Sequence, residues 1–198
     1  MFKEITNINT IAAILPSYTS TGDSTLIIAI NGSQTFIQRR LATVLRQLAR
    51  SRAKDLTALK QNASQATASS ILQPLALTPG LVLCPLKVRL PRVAGDTSIG
   101  YINLHALMSV TENAQKPYQS MIKLLGGAEL PVLWKASTVK KHFQHGKLAT
   151  LCTAHNSILP PALTLIAQKQ VAIMYDLLLF QHQSLQHPPD RNFMSLLP

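Results

Sequence analysis

The sequence predicts an α+β fold: antiparallel hairpins with a basic amphipathic helix and a long C-terminal apolar helix. Three observations carry that expectation. Short apolar runs flank Asn31-Gly32 and Gly126-Gly127, dipeptides suited to tight hairpin turns. Leu41, Val44, Leu45 and Leu48 recur at helical spacing, opposite a row of Arg39, Arg46, Arg50 and Lys54. After Pro160-Pro161, the residues Leu163, Ile166, Ile173 and Leu177 keep the same period.

Taken in order, residues 11–15 read as a strand ended by Pro16, and residues 26–30 as a second strand. Asn31-Gly32 returns the chain to a third over residues 35–37. The basic helix begins near Gln38 and is expected to break or bend over residues 50–54; residues 62–70 are either a loop or a weak extension of it. Residues 71–77 lead into the turn Thr78-Pro79-Gly80, and residues 81–84 form a strand before Pro85. Residues 85–92 alternate apolar and basic side chains between prolines, which suits an edge strand or an ordered loop. Residues 98–104 give another strand passing into a helical turn, followed by a polar connection and the hairpin of residues 120–125 and 130–134. Ser137 then caps a helix that Gly146 is expected to stop.

The late helix, residues 160–187, has an apolar face broad enough for either a core position or a subunit interface. Residues 188–198 read as an exposed tail.

A chain of 198 residues with 46% apolar and 14% charged residues has the composition of a folded protein. Its formal charge of +11 favours encounter with polyanions and says nothing about fold. Cys84 and Cys152 are far apart and unpaired in spacing, as expected for reduced thiols in a cytosolic protein. No signal peptide and no membrane span is read from the sequence, so the expected setting is cytoplasmic.

Chemistry-bearing motifs are missing. There is no Gly-rich phosphate loop, HExxH pair, paired-cysteine metal motif or nucleophile elbow, and acids are few and scattered. The expectation is a protein that is not an enzyme and needs no cofactor or metal. His142 and His145 share a helix face beside Lys140, Lys141 and Lys147, where they would extend a positive patch and gain charge as pH falls.

Positive charge is concentrated in three islands. Between residues 38 and 60 the chain carries seven of its 19 Lys and Arg residues against one acid, Asp55. Lys87, Arg89 and Arg92 form the second island; Lys135, Lys140, Lys141 and Lys147 form the third. Arg39, Arg40, Arg46, Arg50, Lys54, Lys140 and Lys141 are the candidate phosphate contacts, and Lys87, Arg89 and Arg92 the candidates for insertion into a minor groove. Competing readings are a solvated helix face and an acidic protein or membrane surface.

The order of blocks resembles the ComK family of competence transcription factors. The resemblance rests on Thr10 to Pro16 (TIAAILP), Leu81 to Pro85 running on to Arg92, Gly100 to His105 (GYINLH), and the Gly126-Gly127 hairpin followed by Ser137 and Gln144. The chain departs from the family pattern at Leu83, where phenylalanine is common, and at Gly100-Tyr101, where cysteine and tryptophan are usual. The resemblance covers residues 10–149, so residues 1–150 are read as the DNA-binding region. It implies an activator that binds double-stranded A/T-rich DNA through the minor groove as a homo-oligomer, associated with the nucleoid. It also implies a protease adaptor gripping the tail through Phe193, Met194, Leu196, Leu197 and Pro198. The alternatives are a duplex RNA-binding or ribosome-associated protein and a module for an acidic partner.

Overall fold

The computed structural model describes residues 10–20 and 22–155. The expected late helix and the adaptor-binding tail lie outside the described residues.

Six antiparallel strands form the main sheet: β1 (Ile11–Thr19), β2 (Gly22–Ala29), β3 (Gln34–Ile37), β4 (Leu75–Thr78), β5 (Leu81–Lys87) and β6 (Ile99–Asn103). Their spatial order is β3-β2-β1-β6-β5-β4. Two three-stranded meanders are thus joined by the pairing of β1 with β6. The chain crosses from one sheet edge to the other through α1 (Leu41–Arg50) and α2 (Leu56–Thr67). The smaller sheet holds β7 (Leu107–Glu112), β8 (Ser120–Leu124) and β9 (Glu129–Val132), and α3 (Ala136–His155) follows it.

Period-two side-chain alternation gives the main sheet two apolar faces. Ile14, Ile27, Leu75, Leu81 and Leu83 pack against Leu41, Val44, Leu45, Leu48 and Leu59 of the two helices. On the other face Leu15, Ile28, Cys84, Leu86 and Ile102 meet Ile122, Leu124, Leu130, Val132, Val139 and Phe143. A register irregularity between Ile11 and Ala13 turns both Ala12 and Ala13 to this second face.

Two prolines expected to stop or exclude strands lie inside them. β1 continues through Pro16, which pairs with Thr25 of β2, while the pairing with β6 involves only Ala13 and Ile14. β5 continues through Pro85, which pairs with Tyr101, while pairing to β4 ends at Leu83. Each proline therefore has a strand neighbour on one side only, and its missing N–H leaves no ladder bond unmade.

The helical break is where the sequence placed it. α1 ends at Arg50, and Asp55 caps α2 by accepting from the backbone N–H groups of Thr57 and Ala58. Residues 62–67 continue the helix despite their polar composition, because Leu59 and Ala63, four apart, are both buried.

Gly146 does not stop α3, contrary to expectation; the helix runs on to His155. A Cβ at position 146 would collide with Cys84 Sγ, so this glycine is a close-packing residue in mid-helix. The packing of α3 onto β5 outweighs the helix-propensity cost of about 1 kcal/mol.

The two glycine turns do more than reverse the chain. A Cβ on Gly32 would lie 2.7 Å from the Gly126 carbonyl oxygen, and one on Gly126 would lie 2.5 Å from Gly32 N. Backbone thus meets backbone where the tips of the two hairpins touch. Gly126 and Gly127 share φ of +82°, but nothing lies near a Cβ on Gly127. Gly127→Ala is therefore expected to cost about 1 kcal/mol from the left-handed backbone alone. Gly126→Ala adds the steric conflict and should cost about 3 kcal/mol or more. Urea denaturation of the two variants measures the difference.

Candidate nucleic-acid interface

α1 forms because its apolar residues, spaced three and four apart, have a sheet face to cover; the same periodicity leaves Arg46 and Arg50 exposed, and Arg39 and Arg40 are exposed in the segment just before the helix. Arg40 is the N-cap residue and makes no side-chain capping bond, so the positive end of the helix is not closed by a carboxylate or hydroxyl. Arg40, Leu41, Ala42, Leu45 and Arg46 line a cleft of about 620 Å³. Lys60 of α2 joins them, and the opposite wall is the loop of residues 93–97. Tyr101 lies at its base, where burial raises the pKa of the phenol.

That loop is pinned by Tyr18 at the end of β1. The Tyr18 hydroxyl donates to Asp96 Oδ2 and accepts from the Arg92 backbone N–H at 2.9 Å. The Val93 N–H also reaches Asp96 Oδ2, at 3.3 Å. The Tyr18 hydrogen bond is the main reason the Asp96 carboxyl titrates below the usual carboxylate range. Both guanidinium groups of the second basic island lie over the Tyr18 ring, Arg89 at 3.9 Å and Arg92 at 4.3 Å from its centroid.

Arg89 and Arg92 nevertheless have different roles. Arg89 is 9% exposed. Its Nη2 donates to Asp23 Oδ1 at 2.6 Å, and its Nε donates to the Thr97 carbonyl at 2.8 Å. The expectation that Arg89 inserts into a groove is therefore corrected: its charge is spent inside the protein, holding the root of the loop to β2. Arg92 is exposed, and Lys87 is half-buried at the end of β5.

The fold brings part of the first island, Arg40, Arg46 and Lys60, to the same cleft as the loop that carries Arg92. It does not bring the third. Lys140 and Lys147 belong to α3, which packs on the other face of the main sheet, and line a separate depression of about 370 Å³ with Leu104, Leu107, Val110, Phe143 and Gln144. Lys141 is exposed on the same helix. Arg39, just before α1, and Arg50, its last residue, are exposed without lining the cleft, and Lys54 sits in the elbow between α1 and α2.

Three of the acids are occupied by structural work: Asp23 with Arg89, Asp55 as a helix cap and Asp96 with Tyr18. Sequence reasoning missed Tyr18, Asp23 and Asp96. Their positions, 66 to 78 residues from their partners, carry no local signal.

His142 also departs from expectation. It is stacked on Trp134 with ring centroids 4.7 Å apart and an interplanar angle of 15°. Burial, with help from His145 and Lys141, lowers its pKa from 6.5 to about 4. It stays neutral where an exposed imidazole would charge, so it does not extend the positive patch at mildly acidic pH.

Among the described residues no group of three or more His, Cys, Asp or Glu is placed to hold a metal ion, and no helix is long and apolar enough to cross a membrane. No family model, no curated protein and no solved structure matches this chain.

Two outcomes follow from this geometry. Asp23→Ala leaves the Arg89 guanidinium buried without its carboxylate and should cost about 3 kcal/mol, whereas Asp23→Leu combined with Arg89→Met should recover much of that in denaturant titrations. His142 binds its proton more readily unfolded than folded, so its contribution to stability is present above pH 6.5 and is lost as pH falls towards about 4. His142→Phe, which keeps the ring stack, should flatten the dependence of Tm on pH across that window.

Proposed function

We propose that this protein is a DNA-binding regulator of transcription that grips double-stranded, A/T-rich DNA at the cleft between α1, α2 and the loop carrying Arg92. One observation carries the reading: three cations of the first island, Arg40, Arg46 and Lys60, converge on one concavity beside the uncapped N-terminus of a helix, and the two acids that line it, Asp23 and Asp96, are engaged by Arg89 and Tyr18. Oriented backbone N–H groups and exposed cations together favour a polyanion. Arg40, Arg46 and Lys60 suit phosphate contacts, which fix position without reading sequence. Arg92 stands on a loop already ordered by Tyr18 and Asp96, so entering a narrow groove would require little further ordering.

The resemblance to the ComK competence factors supports the same class of partner, and with it binding as a homo-oligomer at the nucleoid. The proposed phosphate set is narrower than the sequence suggested, since α3 places Lys140 and Lys141 on the other side of the sheet.

Equilibrium binding to A/T-rich duplex DNA, G/C-rich duplex DNA and duplex RNA, measured against salt, tests the proposal. Changing Arg40, Arg46 and Lys60 to Ala together should weaken binding to every DNA sequence and lower the salt slope by about three units, close to one per phosphate contact. Arg92→Ala should reduce the preference for A/T-rich DNA with little change in slope. Equal or tighter binding to duplex RNA, or a triple variant that binds like the unaltered protein, overturns the reading. Binding that vanishes at physiological salt for every nucleic acid would point to an acidic protein partner.

A further inference from the structure

A second concavity, of about 640 Å³, lies in the elbow between α1 and α2, away from the cleft described above. It is lined by Ser51, Arg52, Ala53 and Lys54 of the elbow, residues 76–79 at the β4 turn, and Thr150 of α3. Among the described residues no acid lines it; the adjacent Asp55 carboxylate accepts from the first N–H groups of α2.

The backbone of the elbow is internally satisfied. The N–H groups of Arg52 and Lys54 both donate to the Ala49 carbonyl at 3.0 Å, and that of Ala53 donates to Arg50. This closes α1 with a left-handed residue, Ala53 at φ of +51°, where glycine is the usual choice. Two of the side chains are not satisfied. Arg52 Nε and Thr78 Oγ1 are both buried without a hydrogen-bond partner, one from the elbow and one from β4. A buried donor left unmade costs about 1–3 kcal/mol, more when it belongs to a charged group, so a ligand that supplied acceptors to both would stabilise the folded state.

We propose that this pocket binds a phosphate-type oxyanion. The unpaired Arg52 N–H and the Thr78 hydroxyl would donate to it, and the Lys54 ammonium would add charge from the rim. Ser51 and Thr150 do not compete, since their hydroxyls already donate to the carbonyls of Leu48 at 2.7 Å and Gly146 at 3.0 Å. The volume exceeds that of a bare anion, and Ala76, Leu77 and Pro79 offer an apolar wall for the body of a phosphorylated small molecule. A phosphate of a nucleic-acid backbone has the same chemistry, and the two sources are separable.

Thermal unfolding of the full chain in inorganic phosphate, against chloride at equal ionic strength, reads the site. Binding to the folded state alone should raise Tm by about 3 °C or more at saturating phosphate. Arg52→Met with Thr78→Val should abolish the rise, whereas the triple variant at Arg40, Arg46 and Lys60 should retain it. If the double variant unfolds too early to be read, the exposed Lys54→Met should still reduce the rise. A Tm no higher in phosphate than in chloride, or a rise that survives these elbow substitutions, overturns the proposal. When phosphate stabilisation is lost but duplex DNA affinity is unchanged, the ligand is a free phosphorylated molecule; a parallel loss of DNA affinity assigns the site to a nucleic-acid backbone. Failure of DNA binding alone leaves the phosphate result standing, so the two readings fall separately.

Discussion

The main sheet depends on the side chain of Asn103, a fully buried amide at the end of β6. Its Nδ2 donates to the Ile11 carbonyl at 2.9 Å and the Gly80 carbonyl at 3.2 Å. Its Oδ1 accepts from Val82 at 3.3 Å and His105 at 3.2 Å. Four backbone groups from the start of β1, the β4–β5 turn, β5 and the short turn at residues 104–106 are thereby satisfied by one residue. Such groups could not be left bare in this interior without a large penalty, so the amide fixes where both meanders meet and where the chain leaves the sheet for the second layer.

That junction determines what the positive charge can do. Because β1 and β6 pair at the centre, the crossover through α1 and α2 must span one face, and the smaller sheet with α3 must take the other. Arginines on α1 and lysines on α3 are consequently divided by a layer of apolar side chains. The loop after β5 is drawn to the α1 side instead, because Arg89 pairs with Asp23 and Tyr18 holds Asp96. A single ion pair and one phenol decide which basic segments share a surface.

Much of this was legible locally. The Asn31-Gly32 and Gly126-Gly127 turns, the apolar stripe of α1 and the break before Asp55 each follow from neighbours within a few residues, and each is where periodicity and turn chemistry put it. Pro16, Pro85 and Gly146 misled for a shared reason. Their usual meaning as terminators assumes an ordinary neighbourhood, but two face the unpaired side of a ladder and the third faces a sulfur atom. The inward turn of Arg89 and the neutral state of His142 were illegible because both are set by partners distant in sequence or by burial that only the fold creates.

The tips of the two hairpins, at Gly32 and Gly126, touch through main-chain atoms with no side chain between them. Neither reversal is then free to drift in length or residue type on its own, although each sits on a surface where insertions are ordinarily tolerated. In descendants of this chain the two tips should change together or not at all, and a graft of foreign sequence into either would have to bring a compensating change in the other.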